Sequence, residues 1–308
     1  MDKGNQSFVT EFILTGLSTD HKIEIILFVL FLFIYLATLM GNLVIIIVTQ
    51  VDSRLRTPMY FFLSNLSFID ITYTSVIVPK MLNLFLSTRK TISFAGCITQ
   101  VYICLFLGET ECLLLAIMAY DRYVAICNPL HYATFMSKMA CRKLAGVSWM
   151  CGFIISLTNI LMTLQLPFCG PNRIDHFFCE TPVLLKLACA DIVASEVMMI
   201  VGTSVILCIP LLLILTSYCH IISTIVKMHY VEQRHKAFST CGSHLMVVSI
   251  FYGTAMYMYM RPRSENSDSD KAFSVFYTII IPMLNPLIYS LRNKDVKQAI
   301  GKTLGKKS

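Results

Sequence analysis

The sequence predicts an all-α membrane protein, a seven-transmembrane helix bundle with its N-terminus outside and a short amphipathic C-terminal helix. Three observations predict this fold: the composition, the recurrence of nearly charge-free stretches, and the placement of lysine and arginine. Of the 308 residues, 56% are hydrophobic and only 14% are charged. An ordinary soluble domain carries about 25% charged residues, so this chain is too apolar to be one.

Seven stretches are free or almost free of charge, and each has the ~20 residues needed to cross a hydrocarbon core. They are residues 25–51, 57–79, 91–120, 144–172, 197–226, 237–260 and 272–291. Helices satisfy their own backbone hydrogen bonds in lipid, whereas a barrel would show alternating segments of ~10 residues. The spans leave no room for a second folded unit, so residues 1–308 are predicted to form one domain.

Lysine and arginine predict the orientation. If the N-terminus is outside, fifteen of the 25 basic residues fall on the cytoplasmic side, as expected for that side of a membrane. This assignment makes 1–23 an extracellular tail, 162–196 a long second extracellular loop and 292–308 a cytoplasmic tail. The basic balance is attributed to topology and predicts no nucleic-acid partner. Asn5 begins a glycosylation sequon on the outer tail.

The twelve cysteines divide by position. Eight lie in or beside the spans and are predicted to be reduced: Cys104, Cys112, Cys127, Cys141, Cys151, Cys208, Cys219 and Cys241. Four face the oxidising side: Cys97, Cys169, Cys179 and Cys189. Four cysteines allow three pairings, and the residues alone leave the choice open.

The run from Met118 to Cys127 contains Asp121-Arg122-Tyr123 at the end of an apolar span. A charged pair there is costly unless it lies at the membrane surface. We expect Asp121 to hold Arg122 in one state and to release it to a cytoplasmic partner in another.

Six further blocks accompany this run. They are Gly41-Asn42, Pro58 to Ser67 with Asp70, Asn128 to Tyr132, Ser217-Tyr218 with Ile221, Lys236 to Cys241 with Ser243-His244-Leu245, and Pro282 to Lys294. In this order they resemble the olfactory receptors, a group of rhodopsin-like G-protein-coupled receptors, over nearly the whole chain. One departure is Arg56, where the family usually has His before Thr-Pro-Met-Tyr.

The resemblance implies a multi-pass plasma-membrane receptor, not an enzyme. It would bind small, mostly hydrophobic volatile odorants and activate a heterotrimeric stimulatory olfactory-type G protein, which raises cAMP. It implies the disulfides Cys97–Cys179 and Cys169–Cys189, which would tie the second outer loop down as a lid. The implied ligand-binding residues are Leu105, Gly108, Glu109, Met199, Gly202, Thr203, Ile206, Tyr252, Ala255, Tyr259 and Thr278.

Two acids within spans, Asp70 and Glu111, need a partner, a proton or an ion. In the rhodopsin-like arrangement they converge with Asn42 and Asn285, which predicts a possible sodium ion site and no other cofactor. A pair between Glu111 and His244, or a solvated polar network without an ion, are the alternatives.

Glu109 lies two residues from Glu111, and ~200° of helical rotation points it the opposite way, toward spans four and five. There it is expected either to contact the ligand or to make a structural hydrogen bond.

The resemblance also assigns a switch, made of Asp121, Arg122, Tyr123, Tyr218, Asn285, Pro286 and Tyr289. Pro210 and Pro286 remove helical hydrogen bonds and permit kinks. No acid accompanies Arg234, His235 and Lys236 at the inner end of span six, so Asp121 is expected to hold Arg122 alone. Helix Asn293–Ile300 is expected to lie on membrane lipid, with its lysines near anionic headgroups.

Other functional classes fit less well. A retinal pigment needs a lysine in the last span, and residues 272–291 contain none. A transporter would favour inverted repeats, which are not detectable. Cys241 and His244 share a helix face but have no third group for catalysis or metal binding. A receptor of the same fold that senses a non-odorant metabolite remains an alternative.

Overall fold

The computed structural model describes residues 9–168, 172–189, 193–228, 230–260 and 267–292, with residues 296, 298, 299 and 301. Within these residues there are seven long helices, as predicted. They are α1 (His21–Val51), α2 (Pro58–Leu86), α3 (Phe94–Cys127), α4 (Lys138–Leu164), α5 (Val193–Val226), α6 (Val231–Met260) and α7, which joins Ser267–Val275, a π-helical turn Phe276–Ile280 and Ile281–Arg292. Short helical segments lie at Ser53–Leu55, Pro129–His131, Tyr132–Phe135 and Thr181–Leu185. Helix α3 is central and packs against α2, α4, α5 and α6.

Within the described chain, six of the seven helices are long and apolar enough to cross a membrane. The other, α6, is 30 residues long and more polar, because Ser243, His244 and several tyrosines lie along it. Large apolar side chains such as Phe33 (74% exposed) and Met40 (68%) point outward, whereas Asp70 (1%) and Asn285 (2%) point inward. An apolar surface around a polar interior is the arrangement expected of a bundle in lipid.

A proline in α7 is compensated by α1. Pro286 has no backbone N–H, so the carbonyl of Pro282, four residues earlier, loses its helical donor. The side-chain amide of Asn42 donates to that carbonyl at 3.0 Å. The neighbouring Gly41 has no side chain, and a Cβ there would lie 3.1 Å from Cγ of Pro286. The Gly41-Asn42 block therefore lets α1 approach and satisfy the interrupted helix.

Helix α2 runs beyond its predicted end. The charge-free stretch stops at Pro79 because Lys80 follows, yet the helix continues through Pro79 to Leu86. Lys80 is accommodated because its ammonium group donates to the carbonyl oxygen of Thr91 at 2.6 Å. A long lysine side chain can thus extend a span toward its polar end.

A small sheet, absent from the prediction, lies beside the start of α3. Its strands are β1 (Glu11–Leu14), β2 (Thr91–Ser93) and β3 (Arg173–Ile174), in the order β2-β1-β3. Strand β1 is antiparallel to β2 and parallel to β3. Phe12 and Leu14 are buried, with the alternation of a strand. We call this end of the bundle the disulfide end, and the opposite end, where α3 finishes, the Arg122 end.

Close helix packing joins α3 and α4. A Cβ added to Gly152 would overlap the hydroxyl oxygen of Thr110 and lie 3.0 Å from the carbonyl oxygen of Phe106. Small residues at such positions let helix backbones approach in a membrane. This contact fixes the face of α3 that carries Glu109 against α4.

The predicted C-terminal helix is only partly described. Residues 296, 298, 299 and 301 are helical, whereas Asn293 and several of its neighbours lie outside the described residues. Val296 and Ala299 are buried, and the exposed Gln298 accepts a hydrogen bond from Arg54 at 3.3 Å. One face of this segment therefore packs on the bundle, in agreement with an amphipathic helix.

Candidate functional site: a cavity beneath a disulfide-bound loop

The loop between α4 and α5 is tied to α3 by the predicted disulfide Cys97–Cys179, which is confirmed, with 5.5 Å between the Cα atoms. Gln100 strengthens the attachment, since its side-chain oxygen accepts from the backbone N–H of Cys179 at 2.8 Å. Cys189 is also disulfide-bonded, and its predicted partner Cys169 lies outside the described residues. The eight cysteines predicted to be reduced are free. The sequon at Asn5 lies outside the described residues.

Three aromatic side chains at 176–178 form the underside of this loop. His176, Phe177 and Phe178 are all at least 98% buried, and the rings of His176 and Phe177 stack with centroids 4.7 Å apart. Burial lowers the pKa of His176 to about 3, and the positive charge of Lys271 adds to the effect. His176 is therefore neutral at pH 7.

Glu180 connects the loop to α7. Its Oε2 accepts a hydrogen bond from the hydroxyl group of Tyr277 at 2.9 Å. Burial raises the pKa of Glu180 to about 7, although the bond from Tyr277 acts in the opposite direction. Nε2 of His176 lies 3.6 Å from Oε1 of Glu180, but a neutral imidazole makes no ion pair. Protonation of Glu180 therefore removes a negative charge at the contact between the loop and α7.

Beneath the loop, a cavity of about 90 Å³ opens between α2, α3, α5, α6 and α7. One water needs about 10–15 Å³ by this measure, so the cavity has room for a small organic molecule. It is lined by Asp70, Tyr73, Cys104, Leu105, Gly108, Glu109, Glu111, Cys112, Thr203, Ile206, Leu207, Phe251, Thr254, Ala255, Tyr277, Ile281 and Pro282. Most of this surface is apolar, with a few hydroxyl and carboxyl groups that can orient a ligand.

The predicted ligand-binding residues divide into three groups. Six line the cavity: Leu105, Gly108, Glu109, Thr203, Ile206 and Ala255. Gly202, Tyr252 and Thr278 are outside the lining; the hydroxyl groups of Tyr252 and Thr278 bond to the carbonyl oxygens of Cys112 (3.1 Å) and Ser274 (2.6 Å). The side chains of Met199 and Tyr259 are not described. About half of the predicted ligand-binding residues therefore line this one cavity.

Glu109 faces α4, in the direction predicted. Its Oε1 accepts from the side-chain amide of Asn159 at 3.2 Å, and the carboxyl group also lines the cavity. Oε2 is buried and has no hydrogen-bond partner among the described residues. The predicted structural hydrogen bond is therefore present, and a second oxygen is left for another donor. Glu111 lines the same cavity, because the space curves around α3.

Asp70 and Glu111 lie at the cavity floor, Asn285 contacts Asp70, and Asn42 is bonded to the carbonyl oxygen of the lining residue Pro282. The side-chain amide of Asn285 donates to both carboxylate oxygens of Asp70, at 3.1 and 3.2 Å. Within the described chain, Oε1 of Glu111 and Oδ1 of Asn42 are buried without a hydrogen-bond partner. No group of three His, Cys, Asp or Glu residues suited to a metal ion occurs in this part of the chain.

His244 does not pair with Glu111, which corrects one of the three alternatives. Nδ1 of His244 is 2.8 Å from the hydroxyl oxygen of Tyr218, and Nε2 is 3.1 Å from the carbonyl oxygen of Leu115. Both ring nitrogens are therefore occupied, and His244 joins α3, α5 and α6. Sequence spacing could not show that a backbone carbonyl would meet the imidazole.

The ion pair between Asp121 and Arg122, predicted for one of two states, is not formed in this packing. Among the described residues, no ion pair joins the two side chains. Asp121 accepts instead from the hydroxyl group of Tyr132 at 2.8 Å, and Nη2 of Arg122 lies 3.4 Å from the sulfur of Met59. Consecutive helical residues point in different directions, so adjacent partners do not face each other.

Two of the other switch residues, Tyr218 of α5 and Tyr289 of α7, lie within reach of the charge of Arg122. The hydroxyl group of Tyr289 has no hydrogen-bond partner among the described residues. Tyr123, by contrast, points toward α5, where its ring lies 5.7 Å from that of His220. Residues far apart in sequence therefore lie near Arg122.

A family model described as olfactory receptor matches residues 31–307. The chain belongs to the olfactory receptor family. Olfactory receptor 5AR1 of Homo sapiens is 52% identical over 309 residues, with 100% of both chains covered. Olfactory receptor 2G3 of Homo sapiens is 50% identical over 308 residues, again with 100% of both covered. Olfactory receptor 5AR1 of Mus musculus is 52% identical over 308 residues, with 100% of this chain and 99% of the relative covered.

The olfactory receptor is thus a multi-pass plasma-membrane protein of a receptor class, not an enzyme, and its family supports an odorant receptor function. The prediction missed several cavity residues, including Tyr73, Cys104, Phe251 and Tyr277. It also missed the contacts of Glu180 and Tyr132. The position of Glu180 directly after the disulfide-bonded Cys179 was the one sequence feature that could have indicated its contact with α7.

Proposed function

We propose that this olfactory receptor binds a small, mostly hydrophobic volatile odorant in the cavity beneath the loop. Oε2 of Glu109, buried at the cavity wall, carries the proposal. A buried acceptor without a donor is costly, so a ligand that supplies an O–H or N–H gains a hydrogen bond there. Leu105, Ile206 and Ala255 offer apolar contacts to the rest of the molecule. Asn159 holds the carboxyl group in position.

The bound odorant would favour one of two packings of the helices. A ligand shifts such an equilibrium only by its different affinity for the two states. The cavity touches α6 and α7, and these helices also carry His244, Asn285 and Tyr289 toward the Arg122 end. An outward shift of α6 would break the contact between Tyr218 and His244 and leave Tyr218 free to meet Tyr289 through water.

The transducer in this proposal is a heterotrimeric stimulatory olfactory-type G protein, whose activation raises cAMP. The Arg122 end then faces the cytoplasm, the N-terminus is outside, and Asn5 is glycosylated. The segment after α3 supports docking, since the apolar side chain of Leu130 is 94% exposed. Residues 1–308 act as one domain, with the extracellular tail 1–23, the second extracellular loop 162–196 and the cytoplasmic tail 292–308.

A sodium ion at Asp70 and Glu111 remains part of the proposal. Oxygen ligands suit a hard cation, and the buried oxygens of Glu111 and Asn42 without partners fit this need. The ion would stabilise the resting packing. Thermal unfolding in sodium chloride and in choline chloride tests it: we expect a higher melting temperature in sodium that Glu111→Gln abolishes.

The principal test is a screen of chemically diverse volatiles in cells supplied with trafficking helpers, with cAMP as the readout. Agonists that donate a hydrogen bond should lose roughly ten-fold or more in potency on Glu109→Gln, since glutamine replaces one carboxyl oxygen by an NH2 group, which cannot accept a hydrogen bond. Thr158→Val, on the exposed outer face of α4, is the control. An unchanged potency at normal surface expression would contradict the role of Glu109.

Orientation and coupling need separate tests. An epitope tag at the C-terminus should be detected only after the cells are permeabilised. Purified receptor with an agonist should accelerate nucleotide exchange on the G protein. A tag accessible from the medium would overturn the orientation, and an absence of exchange for every agonist would overturn the coupling.

A further inference from the structure

A second cleft, distinct from the odorant cavity, lies at the Arg122 end. It encloses about 670 Å³ between the turn that joins α1 to α2, the beginning of α2, the segment after α3 and the beginning of α4. Its polar lining includes Arg56, Thr57, Asn65, Lys138 and Arg142. The switch described above uses none of these five side chains.

The cleft is positively charged. Arg56, Lys138 and Arg142 are exposed, and none of them pairs with an acid among the described residues. Arg56 makes one hydrogen bond, from Nη2 to the carbonyl oxygen of Gln50 at 3.3 Å. Three cations around one concave space favour an anion with more than one negative charge.

Two helix N-termini add to this potential. Thr57 and Pro58 open α2, and Lys138 opens α4, and all three line the cleft. The side chain of Thr57 makes no capping hydrogen bond. A helix N-terminus carries a partial positive charge and presents backbone N–H groups, so it attracts phosphate groups.

Apolar side chains are exposed farther along α2 and α4, beyond the cleft. Phe61 belongs to the lining, and Phe68 and Val147 are exposed on α2 and α4 (52% and 61%). An occupant with an anionic head and acyl chains fits both parts. We propose that this cleft binds the phosphorylated headgroup of an anionic phospholipid of the inositol type.

The proposal rests on the orientation given above, since anionic lipid lies in the cytoplasmic leaflet. It does not rest on coupling to a G protein. A bound headgroup would tie the beginnings of α2 and α4 to the segment that carries Tyr132, which donates to Asp121.

The test uses the purified full-length receptor in nanodiscs of phosphatidylcholine, with no G protein present. A fluorescent short-chain phosphatidylinositol bisphosphate is titrated in, and phosphatidylserine and soluble inositol trisphosphate serve as competitors. Arg56→Gln and Arg142→Gln are expected to weaken binding about fivefold each. Lys143→Gln, one residue along α4 and outside the lining, is the matched control and should bind like the wild type.

Preferential displacement by the inositol lipid, together with the loss in both cleft variants, supports the site. Equal loss in Lys143→Gln would show a general charge effect and overturn it. If soluble inositol trisphosphate binds as tightly as the lipid, the conclusion that the ligand is a membrane lipid is refuted. Melting temperatures are measured in parallel, and a variant that fails to fold is replaced by Lys138→Gln. Because cAMP is not the readout, failure here leaves the odorant proposal untouched.

Discussion

Glu180→Gln should change how the stability of the receptor depends on pH. Burial raises the pKa of Glu180 from 4.5 to about 7, so the folded protein holds this proton more tightly than the unfolded chain. The contribution of Glu180 to the free energy of unfolding therefore decreases as the pH rises from about 4.5 to about 7, and it stays constant above that range. A shift of this size corresponds to about 3 kcal/mol. The surrounding groups are Tyr277, Asp270, Lys186 and the neutral His176.

Glutamine has nearly the same shape and keeps an oxygen that accepts from Tyr277, but it does not titrate. We therefore expect the variant and the wild type to differ little near pH 4.5, and the variant to be more stable above pH 7 by up to about 3 kcal/mol. His176 titrates in both proteins and cancels from the difference.

Thermal unfolding of both proteins in detergent, at steps between pH 5 and 8, provides the measurement. Glu11→Gln removes a carboxyl group from strand β1 at the same end and serves as the control. Parallel stability curves for wild type and Glu180→Gln across this range would refute the reasoning. A control that reproduces the effect would do the same.

Three further predictions follow from single contacts. Asn42→Leu removes the donor to the Pro282 carbonyl, so the melting temperature of the purified receptor should fall by an amount equivalent to about 1–2 kcal/mol; an unchanged value would contradict the compensation of Pro286. Tyr132→Phe removes the hydroxyl group that ties the segment after α3 to Asp121. Because the loss of this tie frees that segment to rearrange for a transducer, agonist-independent cAMP should rise at matched surface expression; an unchanged basal level would show that the bond does not restrain the switch. Gly152→Val forces α3 and α4 apart, so the free energy of unfolding should fall by roughly 1–3 kcal/mol and surface expression should decrease. Normal surface expression would contradict this prediction.

The sequence was sufficient for features that depend on composition and local periodicity. Charge-free stretches of ~20 residues have few structural options in lipid, so the helices formed where they were expected. The residue patterns also led to the family and to the disulfide Cys97–Cys179. The helix ends were less certain, because a residue such as Lys80 can reach a polar partner and prolong a span.

The side-chain partners were decided only by the tertiary structure. Arg122 and Asp121 are neighbours in sequence but point apart, and Tyr132 reached Asp121 from the next segment. His244 met a backbone carbonyl instead of Glu111. Such contacts depend on the rotation and spacing of whole helices, which no local pattern encodes.

What the sequence by itself determined is therefore the number and kind of helices, the polar residues that must be buried, and the loop that closes one end. What only the tertiary structure decided is which of those polar groups meet. The physical reason is that lipid forces each span to be helical on its own, whereas packing among seven helices selects one set of facing side chains. The cavity at Glu109 and the cationic cleft at Arg142 both come from that packing.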